Sequence, residues 1–173
     1  IENGVLMSYV GDEKEVSIPE GVITLSATAF KGNTSMQALT LSSTVETIEE
    51  GCLEACEALR EVRVAENGMI SAAAGLVFSA DGKSVIYINH AEVGEELVIP
   101  EGVEKIGYPF WDLETLRSLV LPSTLTKISD NMFDGCYALE SISLGGVTEI
   151  GDRAFAYCRE ITAMNWPQNT LRR

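Results

Sequence analysis

The chain has 173 residues, of which 46% are hydrophobic, and this describes a folded chain able to bury a core rather than a disordered one. Its 26 acidic against 12 basic residues give a net charge of −14, which repels nucleic acid and anionic membrane. No apolar run approaches the roughly 18 residues that span a bilayer, and no basic-then-apolar leader opens the chain, so any export signal is expected to have been removed or never present.

In chain order, Gly4-Val5-Leu6-Met7-Ser8-Tyr9-Val10-Gly11-Asp12 reads as a degenerate version of a β-hairpin that caps the first rung, within an N-terminal cap over residues 1–15. A pattern then recurs. Alternating apolar pairs open each unit at Val16/Ile18, Leu39/Leu41, Val62/Val64, Leu97/Ile99, Leu119/Leu121, Ile142/Leu144 and Met164/Trp166. Each pair predicts a short strand with one residue pointing outward between its members. Steps between the second members are 23, 23, 35, 22, 23 and 22 residues. A fixed period in this range is the signature of a solenoid, in which one repeat cannot bury its apolar face alone.

Within each repeat the strand ends at a turn. Ile18-Pro19-Glu20-Gly21-Val22 and Ile99-Pro100-Glu101-Gly102-Val103 are identical stretches, with proline removing a donor and glycine permitting the turn. A second extended piece follows, with Val22/Leu25, Val45/Ile48, Val103/Ile106, Leu125/Ile128 and Val147/Ile150 inward. Next comes a small-plus-large position, as in Ala29-Phe30, Cys52-Leu53 and Ala154-Phe155, expected on a short helical turn. Ser129-Asp130 and Gly151-Asp152 would start such turns, because Asp accepts from orphan amides. Phe30, Leu53, Phe110, Phe133 and Phe155 are expected to stack in a column.

The long step, an irregular repeat over 65–96, holds Leu76-Val77-Phe78-Ser79 and Lys83-Ser84-Val85-Ile86-Tyr87-Ile88 around Ala80-Asp81-Gly82. Asp-Gly between apolar runs predicts a β-hairpin insert near 76–88. The C-terminal end is expected over 164–173, with Trp166 in an inward slot as core or end cap.

The strand-ending proline, Ile150-Gly151-Asp152, Ala154-Phe155 with the following Cys158, and the Leu76–Lys83 hairpin together resemble the BspA-like leucine-rich repeats of bacterial surface proteins. The resemblance covers roughly residues 14–167. It departs from the pattern at Pro109, which stands in the alanine slot, at Leu113 and Asn33 in the cysteine slot, and at Gly145-Gly146 in place of proline. The resemblance implies an α/β fold: a right-handed leucine-rich-repeat solenoid with a concave parallel sheet of about seven short strands and short helical turns. It also implies a secreted or cell-surface setting, with binding and adhesion roles for some members.

Catalytic and metal-binding patterns are weak. The single histidine, His90, is expected in a solvated loop, and no Gly-x-Ser-x-Gly is present. Asp81-Gly82-Lys83-Ser84 resembles the end of a phosphate loop, but Val77 stands where its first glycine belongs. Cys52, Cys56, Cys136 and Cys158 sit in interior slots and read as buried thiols, with a Cys136–Cys158 link as the rival reading. Without a Cys-x-x-Cys, a zinc site is not expected. The acidic stretch Glu46, Glu49, Glu50, Glu54, Glu57 and Glu61 reads as a solvated face, with a weak cation site as the alternative. No catalytic residue, metal or other cofactor is therefore assigned.

The binding argument comes from strand alternation. The outward column is Ser17, Thr40, Arg63, Val98, Val120, Ser143 and Asn165. Its neighbour is Glu15, Ala38, Glu61, Glu96, Ser118, Ser141 and Ala163. Val98 and Val120 are expected to form an exposed apolar pair flanked by Arg63, and Trp111 to point outward as a contact residue. These residues favour a non-enzymatic module, secreted or at the cell surface, that binds a protein or glycan through the solenoid face. A structural spacer or display domain is the second reading, and a carboxylate hydrolase the third.

Overall fold

A computed structural model describes residues 1–111 and 113–166. The expected C-terminal end therefore lies, from residue 167 on, outside the described residues. The chain forms two compact units, one of residues 1–82 and 86–91, the other of 83–85 and 92–173.

The first unit contains β1 (Val5–Leu6), β2 (Glu15–Ser17), β3 (Thr24–Leu25), β4 (Ala38–Thr40), β5 (Thr47–Ile48), β6 (Glu61–Arg63), β7 (Ser71–Ala73) and β8 (Leu76–Phe78). β9 (Ser84–Ile88) gives residues to both units. The second continues with β10 (Glu96–Val98), β11 (Lys105–Ile106), β12 (Ser118–Val120), β13 (Lys127–Ile128), β14 (Ser141–Ser143), β15 (Glu149–Ile150) and β16 (Ala163–Asn165).

Repeat-opening strands pair in parallel as β2-β4-β6 and, in the other unit, β10-β12-β14-β16. The seven expected strands thus form, but in two sheets rather than one. A second set of strands pairs as β1-β3-β5 in the first unit and β13-β15 in the other. The N-terminal segment joins this ladder: Val5 and Leu6 pair with Thr24 and Leu25, and the Tyr9 ring packs 5.2 Å from Phe30.

The core follows the alternation. Val16, Ile18, Leu39, Leu41 and Val62 are buried in one unit, as are Leu97, Ile99, Leu119, Leu121, Ile142 and Leu144 in the other. Each buried side chain of this size contributes about 1.5–3 kcal/mol of transfer free energy. Phe110, Phe133 and Phe155 stack as expected, with ring centroids 5.3 and 5.2 Å apart. The ends of the columns depart from the pattern: Ile150 is 39% exposed and Trp166 is 59% exposed, so Trp166 is not a core residue.

The expected helical turns do not form, and the α/β class is corrected to an almost all-β solenoid. Among the described residues the only helix is a 3-10 turn at His90–Glu92. The reason lies in where the backbone amides point. Cys136 N bonds Phe133 O within the repeat, but Phe133 N donates to Ala154 O at 2.8 Å and Gly135 N to Ala156 O at 3.0 Å. Amides committed to the next repeat cannot close an i→i−4 ladder. Ala55, Asn131, Arg153 and Tyr157 also take positive φ, which no α-helix contains. Asp130 does not start a helix either; its Oδ1 accepts from Asp152 N, one repeat on, at 2.8 Å.

Inter-repeat bonding also explains two sequence features. In both identical pentapeptides the glutamate accepts from a serine one repeat later, Glu20 from Ser43 and Glu101 from Ser123. The turn glycine donates to the following threonine, Gly21 N to Thr44 Oγ1 at 3.0 Å and Gly102 N to Thr124 Oγ1 at 3.1 Å. Gly146, of the Gly145-Gly146 pair that stands in place of the proline, lies against the preceding repeat and bonds Pro122 O at 3.1 Å. A Cβ there would collide with the Ser123 carbonyl.

The insert is larger than the expected hairpin. β7 and β8 pair antiparallel around Ala74-Gly75, β8 neighbours β9, and β9 pairs in parallel with β11 through Ser84↔Lys105 and Val85↔Ile106. Just beyond β9, buried Asn89 does the work of a strand. Its Oδ1 accepts from Val62 N at 2.8 Å and its Nδ2 donates to Val62 O at 3.1 Å. Buried Tyr87 donates to Leu59 O at 3.0 Å. Replacing Asn89 by Ala leaves both polar groups of Val62 buried and unsatisfied, at about 1–3 kcal/mol each. The expected outcome is a drop of about 2–4 kcal/mol in urea-unfolding free energy, read from the midpoint; a drop under about 0.5 kcal/mol would show that Asn89 does not hold the edge.

Candidate functional site

All seven residues of the outward column face away from the core, and none is buried. The structure divides them between the two sheets. Ser17, Thr40 and Arg63 are in register on β2-β4-β6. Val98, Val120, Ser143 and Asn165 are in register on β10-β12-β14-β16.

The two faces differ in chemistry. On β2-β4-β6 the guanidinium of Arg63 bonds Glu61 at 2.6 Å and lies 3.8 Å from Glu15. Because β4 runs between β2 and β6, the Arg63–Glu15 pair passes over Ala38, which is only 6% exposed. The charge of Arg63 is thus engaged by the two glutamates of its own sheet. A hydrogen bond from Arg63 holds the Glu61 carboxyl below the ordinary carboxylate range.

On the other sheet, Val98 and Val120 lie opposite each other, 61% and 38% exposed. Around them are Ser118, Ser141, Ser143, Ala163 and Asn165, with Glu96 the one charge among the outward residues of these four strands. Arg117, one residue before β12, bridges Glu95 and Glu140, so the charged border of the face is paired within itself. Trp111 is 45% exposed and meets Tyr108 edge-on at 6.5 Å.

Cysteine burial follows the expectation for three residues: Cys52, Cys56 and Cys136 are buried and Cys158 is half-buried, with no disulfide joining the four. The sequence did not show why cysteine suits its slot. Each thiol there donates to the carbonyl of the large residue one repeat earlier: Cys56 to Phe30 at 3.1 Å, Cys136 to Phe110 at 2.9 Å and Cys158 to Phe133 at 3.1 Å. Asn33 in the first repeat does the same toward Gly11 O at 3.3 Å. His90 sits half-buried on the 3-10 turn. Among the described residues no group of three or more His, Cys, Asp and Glu could hold a metal ion, and the Glu46–Glu61 stretch contains no such cluster. Sequence reasoning missed Asn89 and Tyr87, whose signal is a pair of hydrogen-bonding side chains in the apolar run 85–89.

Two overlapping stretches, 9–95 and 89–172, match the model of the BspA type leucine rich repeat region, with six copies. The chain belongs to this family. Among solved structures it is similar to a leucine-rich repeat protein of T. pallidum, with 23% identity, TM-score 0.61, and coverage of 91% of this chain and 82% of that one. A Bacteroides ovatus leucine-rich repeat protein shares 26% identity at TM-score 0.59 over 88% of this chain and 45% of its own. The pneumococcal vaccine antigen PcpA has the same fold at 16% identity and TM-score 0.58, with 87% of this chain and 50% of that one covered. No curated protein sequence matches the chain. The matched family is a repeat scaffold, a fold suited to protein interaction or display rather than one built around a catalytic centre.

The Arg63–Glu61 bond has a direct pH signature. A depressed carboxyl pKa contributes stability above the unfolded-state value and loses it as pH falls through the folded-state value. In an NMR titration of Glu61, Arg63→Ala is expected to move the midpoint upward toward the ordinary carboxylate value. An unmoved midpoint would show that Arg63 is not the partner that sets it.

Proposed function

We propose that this BspA-type chain is a non-enzymatic recognition module, secreted or at the cell surface, that binds a partner through the outward face of β10-β12-β14-β16. The observation that carries this reading is the pair Val98 and Val120. Two adjacent, in-register valines stand exposed on a sheet face that otherwise carries small neutral side chains and the single charge of Glu96. Small residues leave the backbone plane open, so a partner's loop or edge can approach closely, while the valines supply apolar area. Ser143 and Asn165 extend the contact with hydrogen-bonding groups, and Trp111 with Tyr108 supplies an aromatic surface elsewhere on the same unit. A protein partner fits this surface better than a glycan, because apolar side chains rather than a cleft of convergent polar groups stand at its centre.

On this reading Ser17, Thr40 and Arg63 form a lesser contact surface, since Arg63 already satisfies Glu61 and Glu15. That self-pairing also supports a second reading, in which the chain is a spacer or display element without a ligand of its own. The family and the similarity to a pneumococcal vaccine antigen support the surface setting.

The test is an array of host matrix, mucosal and cell-envelope proteins and glycans probed with the chain. Val98→Glu with Val120→Glu is expected to weaken a captured partner at least about tenfold, a loss of about 1.4 kcal/mol, with circular dichroism unchanged. Arg63→Glu is expected to change binding less. Binding untouched by the valine changes would exclude this face, and an array on which the chain captures nothing would favour the spacer.

A further inference from the structure

The four cysteines fall into two chemically different pairs. Cys52 and Cys56 lie in one repeat, and burial pushes the Cys52 thiol up to about 12 and raises Cys56 as well. Such thiols are inert, because the thiolate is the nucleophile. Cys136 and Cys158 instead hold the same slot in neighbouring repeats.

The backbones carrying this second pair run side by side. Phe133 N bonds Ala154 O at 2.8 Å and Gly135 N bonds Ala156 O at 3.0 Å. The Phe133 and Phe155 rings, three residues before the two cysteines, stack 5.2 Å apart with planes only 8° from parallel. Equivalent residues across such a spacing have Cα atoms about 5 Å apart, within the roughly 4.4–6.8 Å that a disulfide spans. Both thiols point the same way, each toward the carbonyl of the preceding repeat's phenylalanine. Cys136 is fully buried and Cys158 half-buried, so reagents reach the pair from one side. Interaction with Cys136 holds the Cys158 thiol below the ordinary thiol range, against the opposing effect of burial.

We propose that Cys136 and Cys158 are a redox-responsive pair, a modification site at which a small-molecule disulfide converts two thiols into one intramolecular disulfide. The Cys158 thiolate attacks a sulfur of the reagent, forming a mixed disulfide and releasing one reagent thiolate. The Cys136 sulfur, on losing its proton, attacks the Cys158 sulfur. That step forms the Cys136–Cys158 bond and releases the second thiolate. The protein gives up two electrons and two protons, and the reagent leaves as two thiols. Closure removes both S–H donors from the Phe110 and Phe133 carbonyls, so the bond costs one buried and one part-buried hydrogen bond and is readily re-reduced. It staples the repeat ending at Cys136 to the one ending at Cys158.

The natively folded chain is titrated with oxidised glutathione, quenched by alkylation and mapped by mass spectrometry. The expected result is a loss of about 2 Da, with Cys136 and Cys158 in one cross-linked peptide. Cys52 and Cys56 are expected to be alkylated only after denaturation. In Cys136→Ser the glutathione adduct is expected to persist on Cys158, with a thermal melt to confirm folding. Wild-type chain whose Cys136 and Cys158 remain separate thiols, or whose Cys158 stops as a glutathione adduct, overturns the proposal. That readout needs no variant to fold.

Discussion

The structure depends on one constraint: within each unit, neighbouring repeats are hydrogen-bonded to one another between their strands as well as in them. Strand pairing accounts for the openings of the repeats. Between strands, Asn131, Phe133 and Gly135 donate in succession to Asp152, Ala154 and Ala156. The spacing near 23 residues follows from this. At some positions a side chain joins this bonding, as the Cys136 thiol and the Asn33 amide do, and at others a side chain must be missing, as at Gly146.

The same constraint determines where a ladder ends. An unpaired edge invites another strand. On β6 the Asn89 side chain meets both backbone groups of Val62, so the edge is satisfied without a further strand. The consequence for function is that the outward column is divided between two sheets. One sheet carries a charged face that satisfies itself through Arg63; the other carries a face with two exposed valines and one charge, Glu96. A single expectation drawn across seven strands becomes two faces with different chemistry, and only the second leaves apolar area uncovered.

Much of this was legible in the sequence because burial in a strand has period two and the repeats have a fixed period. The alternation around Val98 and Val120, the Phe110–Phe133–Phe155 column and the interior cysteines all follow from those two regularities. The helical turns were misread because a short apolar cluster such as Ala154-Phe155 fits a helix turn and a tight reversal equally well. Only the destination of the amides separates the two, and that is a property of the neighbouring repeat. Asn89 was missed for a similar reason: one polar residue at the end of an apolar run says nothing about which edge it meets 27 positions earlier. Trp166 shows the limit of the period itself, since it holds an inward slot by period and is nevertheless exposed.

Native-state hydrogen exchange tests the account most directly, because it separates amides bonded across repeats from amides in ordinary loops. The account predicts that Phe133 and Gly135, which lie outside any strand, are protected to the same order as the strand amides of Leu119 and Ile142. It also predicts that Gly94, in the connection before β10, exchanges far faster. If Phe133 and Gly135 exchange as fast as Gly94 while the strands remain protected, the repeats are joined by their strands alone and the central constraint is wrong.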